Sequence, residues 1–218
     1  MLFRATGLGR RLGDAWILRG VDVQLQAGEN LAILGTTGAG KSLLLRCLAG
    51  LDVADEGQIA LNDRPLAEWP MPSYRARIVY LHQRPALWEG TVEDNLRAVF
   101  CLAAHRSRGY DRSQGLRRLA VFERDEAFLG KATAQLSGGE AEIVALIRAL
   151  SVEPSVLLLD EPTASMDAAA TRQAEKLLKR WVCDGPNRAS VWTSHDANQV
   201  RRVAGRTQKL TGTERSAS

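Results

Sequence analysis

The sequence predicts an α/β fold: a parallel sheet covered by helices on both faces, with a small antiparallel sheet at one end and an all-helical insertion. Three observations lead there. The apolar run Leu31-Ala32-Ile33-Leu34 passes directly into the glycine-rich loop Gly35-Thr36-Thr37-Gly38-Ala39-Gly40-Lys41-Ser42, which is followed by Leu43-Leu44-Leu45. A second apolar run, Val156-Leu157-Leu158-Leu159, ends in the adjacent carboxylates Asp160 and Glu161. Beyond Leu136, helical and strand-like stretches alternate, as right-handed crossovers in a parallel sheet require.

Taken in order, the alternation Val21-Asp22-Val23-Gln24-Leu25 predicts a half-buried strand, with residues 2–7 as its partner and Ala27-Gly28-Glu29-Asn30 as the turn into a buried strand over 31–34. A helix follows the glycine-rich loop to about residue 49, where Gly50 is a natural stop. Residues 57–61 predict a strand ending at an Asn62-Asp63 turn, and 77–81 a further strand leading to Gln83. From Thr91 the spacing of Val92, Leu96, Val99 and Phe100 becomes helical, and Thr91-Val92-Glu93-Asp94 is a helix start. A second helix at about 115–122 and a short acidic segment complete the insertion, over roughly residues 84–136. Expected next are a helix over 139–150, strands over 156–159 and 189–193 with a helix over 168–181 between them, and a last strand and short polar tail within 206–218.

The 218 residues, 45% apolar and 25% charged, suit one domain with a substantial core. A net charge of +4 without a dominant basic run gives no nucleic-acid footprint, and the cluster Arg201, Arg202, Arg206 and Lys209 reads as a solvated helix face. Cys47, Cys101 and Cys183 are odd in number and widely spaced, which excludes a disulfide framework or zinc site and predicts buried or inert thiols in a reducing compartment. There is no secretory leader pattern and no apolar run of about 18 residues, so the expected link to a membrane runs through a partner.

The loop from Gly35 to Ser42 has the spacing of a phosphate cradle, in which glycines let backbone N–H groups curl round an anion at a helix start. Lys41 then reaches the β- and γ-phosphates of a nucleotide, and the Ser42 hydroxyl serves Mg²⁺. Adjacent side chains at a strand end diverge, so Asp160 can hold Mg²⁺ while Glu161 orients or deprotonates an attacking water. Gly35, Gln83, Asp160 and His195 each follow a predicted strand, which gathers them at the carboxyl edge of the sheet.

Leu136-Ser137-Gly138-Gly139-Glu140 resembles the signature motif of the ATP-binding cassette (ABC) ATPases, and it lies between the phosphate loop and the Asp160-Glu161 strand, as in that family. Gln83 matches the family's Q-loop glutamine, Ala164-Ser165-Met166-Asp167 its D-loop, and His195 its switch histidine. The resemblance implies a P-loop NTPase, RecA-like core that takes ATP and Mg²⁺. It implies nucleotide contacts from Gly35, Thr36, Thr37, Gly38, Ala39, Gly40, Lys41, Ser42, Leu43, Gln83, Ser137, Gly138 and Gly139, and metal ligation by Ser42, Gln83 and Asp160. Catalysis falls to Glu161, His195 and Lys41. Because the signature site grips ATP held by another subunit, a head-to-tail dimer with a second copy is implied. Also implied are an integral membrane permease subunit as partner, no direct nucleic acid, and a cytoplasmic position on the inner face of the membrane.

Departures from the family pattern are Leu12 at the position of the adenine-stacking aromatic, with Trp16 nearby as a substitute or a core residue, and Glu140-Ala141-Glu142-Ile143 where a Gln/Arg-rich run is usual. Pro85-Ala86-Leu87-Trp88-Glu89-Gly90-Thr91-Val92-Glu93-Asp94-Asn95-Leu96 resembles the stand-alone ATPase subunits of bacterial iron-export systems of the FetA type. Trp88 either lines a groove for a permease helix or packs within the insertion. A soluble cassette ATPase acting on DNA or ribosomes is the second reading. The short insertion and single cassette favour transport over it, and intact Glu161 and His195 disfavour a nucleotide sensor without turnover.

Overall fold

Two long strands joined by a tight hairpin open the chain in the computed structural model, which describes residues 1–211. β1 (Phe3–Leu12) and β2 (Ala15–Leu25) pair antiparallel, with Phe3 opposite Leu25 and Leu12 opposite Ala15. The expected segments 2–7 and 21–25 cover only the ends of these strands nearer the core. Beyond them Arg10, Arg11 and Arg19 interrupt the apolar alternation, which hides the extra length from a periodicity reading.

β3 (Asn30–Leu34) feeds the glycine-rich loop and α1 (Lys41–Leu48). That helix ends as expected at Gly50, whose φ is +66°: Gly50 N–H donates to Cys47 O (3.0 Å) and Leu51 N–H to Arg46 O (2.9 Å), a Schellman closure. β4 (Glu56–Leu61) and β5 (Arg64–Pro65) are joined by Asn62 and Asp63, whose φ values of +51° and +58° are those a type I′ turn requires. α2 (Met71–Arg75), too short to show a period, precedes β6 (Ile78–Leu81).

Within residues 84–136 stand α3 (Val92–Ala98), α4 (Arg112–Ala120) and α5 (Glu126–Leu129). α3 starts on a complete capping box between Thr91 and Asp94. α4 starts earlier than its apolar spacing indicated, because the Asp111 carboxylate accepts from Gln114 N–H at 3.0 Å and caps it. The chain continues through α6 (Gly138–Ser151), β7 (Val156–Asp160), α7 (Ala168–Asp184), β8 (Ala189–Thr193), α8 (Ala197–Val203) and β9 (Arg206–Lys209). The expected polar tail lies outside the described residues.

The basic cluster near the end is not one helix face. Arg201 and Arg202 stand on α8 while Arg206 and Lys209 stand on β9, and Arg202 and Arg206 pair with Glu175 and Glu29. Cys47 is buried, whereas Cys101 and Cys183 are exposed, and all three are free thiols. Among the described residues no helix is long and apolar enough to cross a membrane.

Two sheets result: antiparallel β2-β1-β4-β5 and parallel β6-β7-β8-β3-β9. Alternation along the parallel strands divides the interior in two. Leu157, Leu159, Ala32 and Trp192 face a core with α6, α7 and the inserted helices, while Val156, Leu158, Leu31, Ile33 and Val191 face one with α1 and the antiparallel sheet. A strand buried on both faces must be apolar throughout, which is why 156–159 is legible in the sequence.

Candidate nucleotide site

The register of the parallel sheet puts Ile33 opposite Thr193, Thr193 opposite Asp160, and Leu81 opposite Leu159, so the loops after β3, β6, β7 and β8 emerge at one edge. After β3, Gly35 passes so close to the Leu210 carbonyl that a Cβ there would lie 2.9 Å from its oxygen. Gly38 and Gly40 have φ of +82° and +92°, and Gly40 lies against Ile17 and Leu18 of β2. Thr36, Thr37, Gly38 and Ser42 are exposed, Ala39 is buried, and Leu43 packs against the antiparallel-side core. Among the described residues no side chain caps α1, and no acidic residue stands in its first turn, which leaves its N–H groups to an anion. Lys41 is folded into its own loop, donating to Gly35 O (2.9 Å) and Thr36 O (3.0 Å).

Asp160 and Glu161 diverge as adjacent residues at a strand end should. Buried Asp160 turns between strands, accepting from the Tyr80 hydroxyl (2.9 Å) and the Thr193 hydroxyl (2.8 Å). Burial, with the Asp160 carboxylate beside it, pushes the Tyr80 hydroxyl up in pKa and keeps it a donor. Glu161 turns to the loop edge, where one oxygen lies 2.6 Å from His195 Nε2 and the other accepts from Gln83 Nε2 at 3.2 Å. A contact of 2.6 Å between Nε2 and a carboxylate oxygen needs a proton between the two atoms. Glu161 itself has φ +48°, an unfavourable backbone for a residue with a side chain, held by N–H bonds to the Thr193 carbonyl and hydroxyl, both 3.2 Å. An open cavity of about 310 Å³ borders Glu161, His195, Thr163 and Ser194.

Ser137 starts α6 with a capping box: its hydroxyl accepts from Glu140 N–H (3.2 Å), and the Glu140 carboxylate accepts from Ser137 N–H (3.0 Å). Burial alone would raise the Glu140 carboxyl, but Lys131 Nζ at 2.8 Å and the Ser137 N–H hold it below the usual range. Gly138 and Gly139 lie against Ser165 of the loop 164–167, where a Cβ on Gly139 would sit 2.8 Å from the Ser165 carbonyl oxygen. Glu142, almost fully buried, accepts from Ser165 N–H with both oxygens (2.9 and 3.0 Å), and Ile143 joins the helical core.

The structure thus brings Gln83, Glu161 and His195 into contact, keeps Asp160 one layer inside, and sets Ser137, Gly138 and Gly139 on the loop that leaves Glu161. Leu12 is exposed at the hairpin end; Trp16 is half-buried, packed on Gly9, with the Arg11 guanidinium 4.1 Å from its ring centre. Trp88 is half-exposed with Arg148 stacked 4.7 Å from its ring, rather than packed within the inserted helices. Tyr80 and Thr193 carry no motif signal, and the pairing of Glu142 with Ser165 of the D-loop match is not readable from either motif. All four are reached through contacts between residues 23 or more apart in the chain.

Oxygen donors alone, from Ser42, Asp160 and Gln83, suit a hard cation such as Mg²⁺. Each Asp160 oxygen, with one hydrogen bond made, retains a lone pair for a bound water. A glycine cradle between β3 and α1 beside a carboxylate-ended strand defines the class, a P-loop NTPase with a RecA-like parallel core. The family model described as ABC transporter matches residues 18–164, and the chain belongs to that family. It is 34% identical over 199 residues to the probable iron export ATP-binding protein FetA of Escherichia coli, covering 91% of this chain and 87% of that one. It is 34% identical over 201 residues to the sulfate/thiosulfate import ATP-binding protein CysA of Mesostigma viride, covering 90% of this chain but spanning only 56% of that protein's length. Among solved structures, the dimeric ATP-binding cassette MJ0796 bound to ADP and Pi superposes with a TM-score of 0.83 at 25% identity, covering 96% of this chain and 94% of that one.

Proposed function

We propose that this chain hydrolyses ATP and energises an ABC transporter, closing as a head-to-tail homodimer on an integral membrane permease subunit at the inner face of the membrane. The observation that carries the reading is Glu161 held between Gln83 and His195 at the sheet edge shared with the phosphate loop. Lys41 exchanges the Gly35 and Thr36 carbonyls for the β- and γ-phosphates, and the loop amides and α1 N-terminus hold the remaining charge. Ser42, Gln83 and Asp160, the last through a water, would hold Mg²⁺, which would supply neutralisation of phosphate charge.

Each Glu161 oxygen makes one hydrogen bond and retains a lone pair, with which it can accept from the attacking water. Glu161 then takes its proton as the water oxygen attacks the γ-phosphorus and the bond to the β-phosphate oxygen breaks. His195 Nε2–H is freed to donate to the γ-phosphate oxygens, and the other copy's Ser137, Gly138 and Gly139 complete the clamp.

Trp16, on β2 next to the Ile17 that lies against Gly40, is the adenine platform in place of Leu12, with the Arg11 guanidinium yielding the ring face to the base. Residues 84–136 form a helical unit directed at the permease, with half-exposed Trp88 on its docking face. The likeness of residues 85–96 to FetA-type subunits supports iron or other metal export as the task. Tagged Glu161→Gln protein, purified from its native cells in mild detergent with ATP and Mg²⁺, tests the reading. Co-purification of a multi-span membrane protein is expected, and recovery with ribosomes or nucleic acid alone would contradict it.

A further inference from the structure

We infer that Glu142 is a positioning residue that fastens the second anion site to the loop leaving Glu161, so that the two move as one body. Its side chain stands on α6 five residues after Ser137, and both carboxylate oxygens accept from Ser165 N–H at 2.9 and 3.0 Å. The residue is 2% exposed, and its described partners are the Ser165 hydroxyl and backbone N–H groups of the loop 164–167 rather than a cation. A carboxylate buried on such terms is held by its geometry: moving the loop strips the charge of its donors.

The loop is tied equally at its other end. Ala164 N–H donates to Glu161 O (3.2 Å), Met166 N–H to Thr163 O (3.3 Å), and Asp167 caps α7 through Ala170 N–H (2.8 Å). Gly139 lies on Ser165 without room for a Cβ and Gly138 lies tightly against the Ser165 side chain, so the loop and the start of α6 are in contact as well as bonded. A continuous path therefore runs from Gln83 and His195 through the Glu161 side chain and backbone to Ser165, Glu142, α6 and Ser137. The inference rests on the proposed dimer, in which Glu161 serves the chain's own ATP and Ser137 serves the ATP of the other copy. Glu142 then links the two ATP sites, and the link is made by an acceptor oxygen. A glutamine can supply one such oxygen and an alanine none.

The test compares wild type, Glu142→Ala, Glu142→Gln and Glu161→Gln by phosphate release against ATP concentration and by titration with a fluorescent ADP analogue. Glu142→Ala is expected to lower kcat about tenfold and bring the ATP Hill coefficient down toward about 1, with ADP affinity unchanged. Glu142→Gln is expected to restore kcat to within about twofold of wild type. Wild-type turnover and Hill coefficient in Glu142→Ala, equal impairment of both Glu142 variants, or a parallel loss of ADP affinity would each overturn the inference. An active Glu161→Gln would instead remove the site reading beneath it, whereas a dead Glu161→Gln beside an unaffected Glu142→Ala would sink the inference alone.

Discussion

Replacing Gly139 by alanine places a methyl carbon 2.8 Å from the Ser165 carbonyl oxygen, 3.3 Å from Met166 Cα and 3.4 Å from Ser165 C. All three are backbone atoms in a loop tied at Glu161, Glu142 and α7, so no flexible side-chain end can yield. Relieving the contact takes a shift of roughly half an ångström of α6 or the loop, given optimal separations of about 3.5 Å. Overpacking of this kind costs about 1–3 kcal/mol, and alanine's helix preference over glycine returns at most about 1. A net loss of about 1–2 kcal/mol corresponds to a fall in Tm of roughly 2–8 °C for a chain of this size.

The same displacement moves the Ser137 to Gly139 donors, and losing about 1.4 kcal/mol of transition-state stabilisation lowers turnover tenfold. ADP affinity should not change, since the methyl lies far from the loop 35–42 in contact terms. The control is Gly130→Ala, where a Cβ would lie 3.6 Å from Ala127 O, an ordinary contact, and native stability and turnover are expected. Denaturation midpoints, fluorescent ADP titration and phosphate release read all three quantities. Native Tm and turnover in Gly139→Ala would refute the argument that the glycine is there to admit Ser165.

Thr91→Ala removes the hydroxyl that accepts from Asp94 N–H at 3.1 Å and donates to the Asp94 carboxylate, and urea denaturation should show a loss of about 1 kcal/mol. Burial pushes the Cys47 thiol up to about 11. Disulfide-exchange reagents at pH 8 should therefore titrate Cys101 and Cys183 in the native protein and Cys47 only after unfolding. The unfolded thiol loses its proton first, near about pH 8.5, so Cys47 lowers stability as pH rises from there to about 11. Cys47→Ala should flatten that part of the pH profile, and an unchanged slope would contradict the assignment.

The candidate site was legible wherever chemistry follows a strand. Glycine spacing after β3, the carboxylate pair after β7, Gln83 after β6 and His195 after β8 all lie in local sequence, and parallel pairing alone brings them to one edge. The capping box at Ser137 and Glu140 spans only four residues, but the stretch reads first as a signature motif, and the cap emerges from the structure. What local sequence could not show is which atoms meet across the fold. Tyr80 and Thr193 grip Asp160 from neighbouring strands, and Glu142, in sequence only a departure from a Gln/Arg-rich run, holds a loop 23 residues away. The outer halves of β1 and β2 were hidden because arginines replace the apolar alternation there, and α2 and α5 because one turn of helix is too short to display a period.

The central claim is that Glu161 is the general base of an ATP hydrolase. Phosphate release by purified wild type and Glu161→Gln, each with ATP binding measured on the same preparation, tests it most directly. Steady turnover by wild type, with full ATP binding but no turnover in Glu161→Gln, is the predicted result. Undiminished phosphate release by Glu161→Gln, or ATP binding without turnover by wild type, would contradict it.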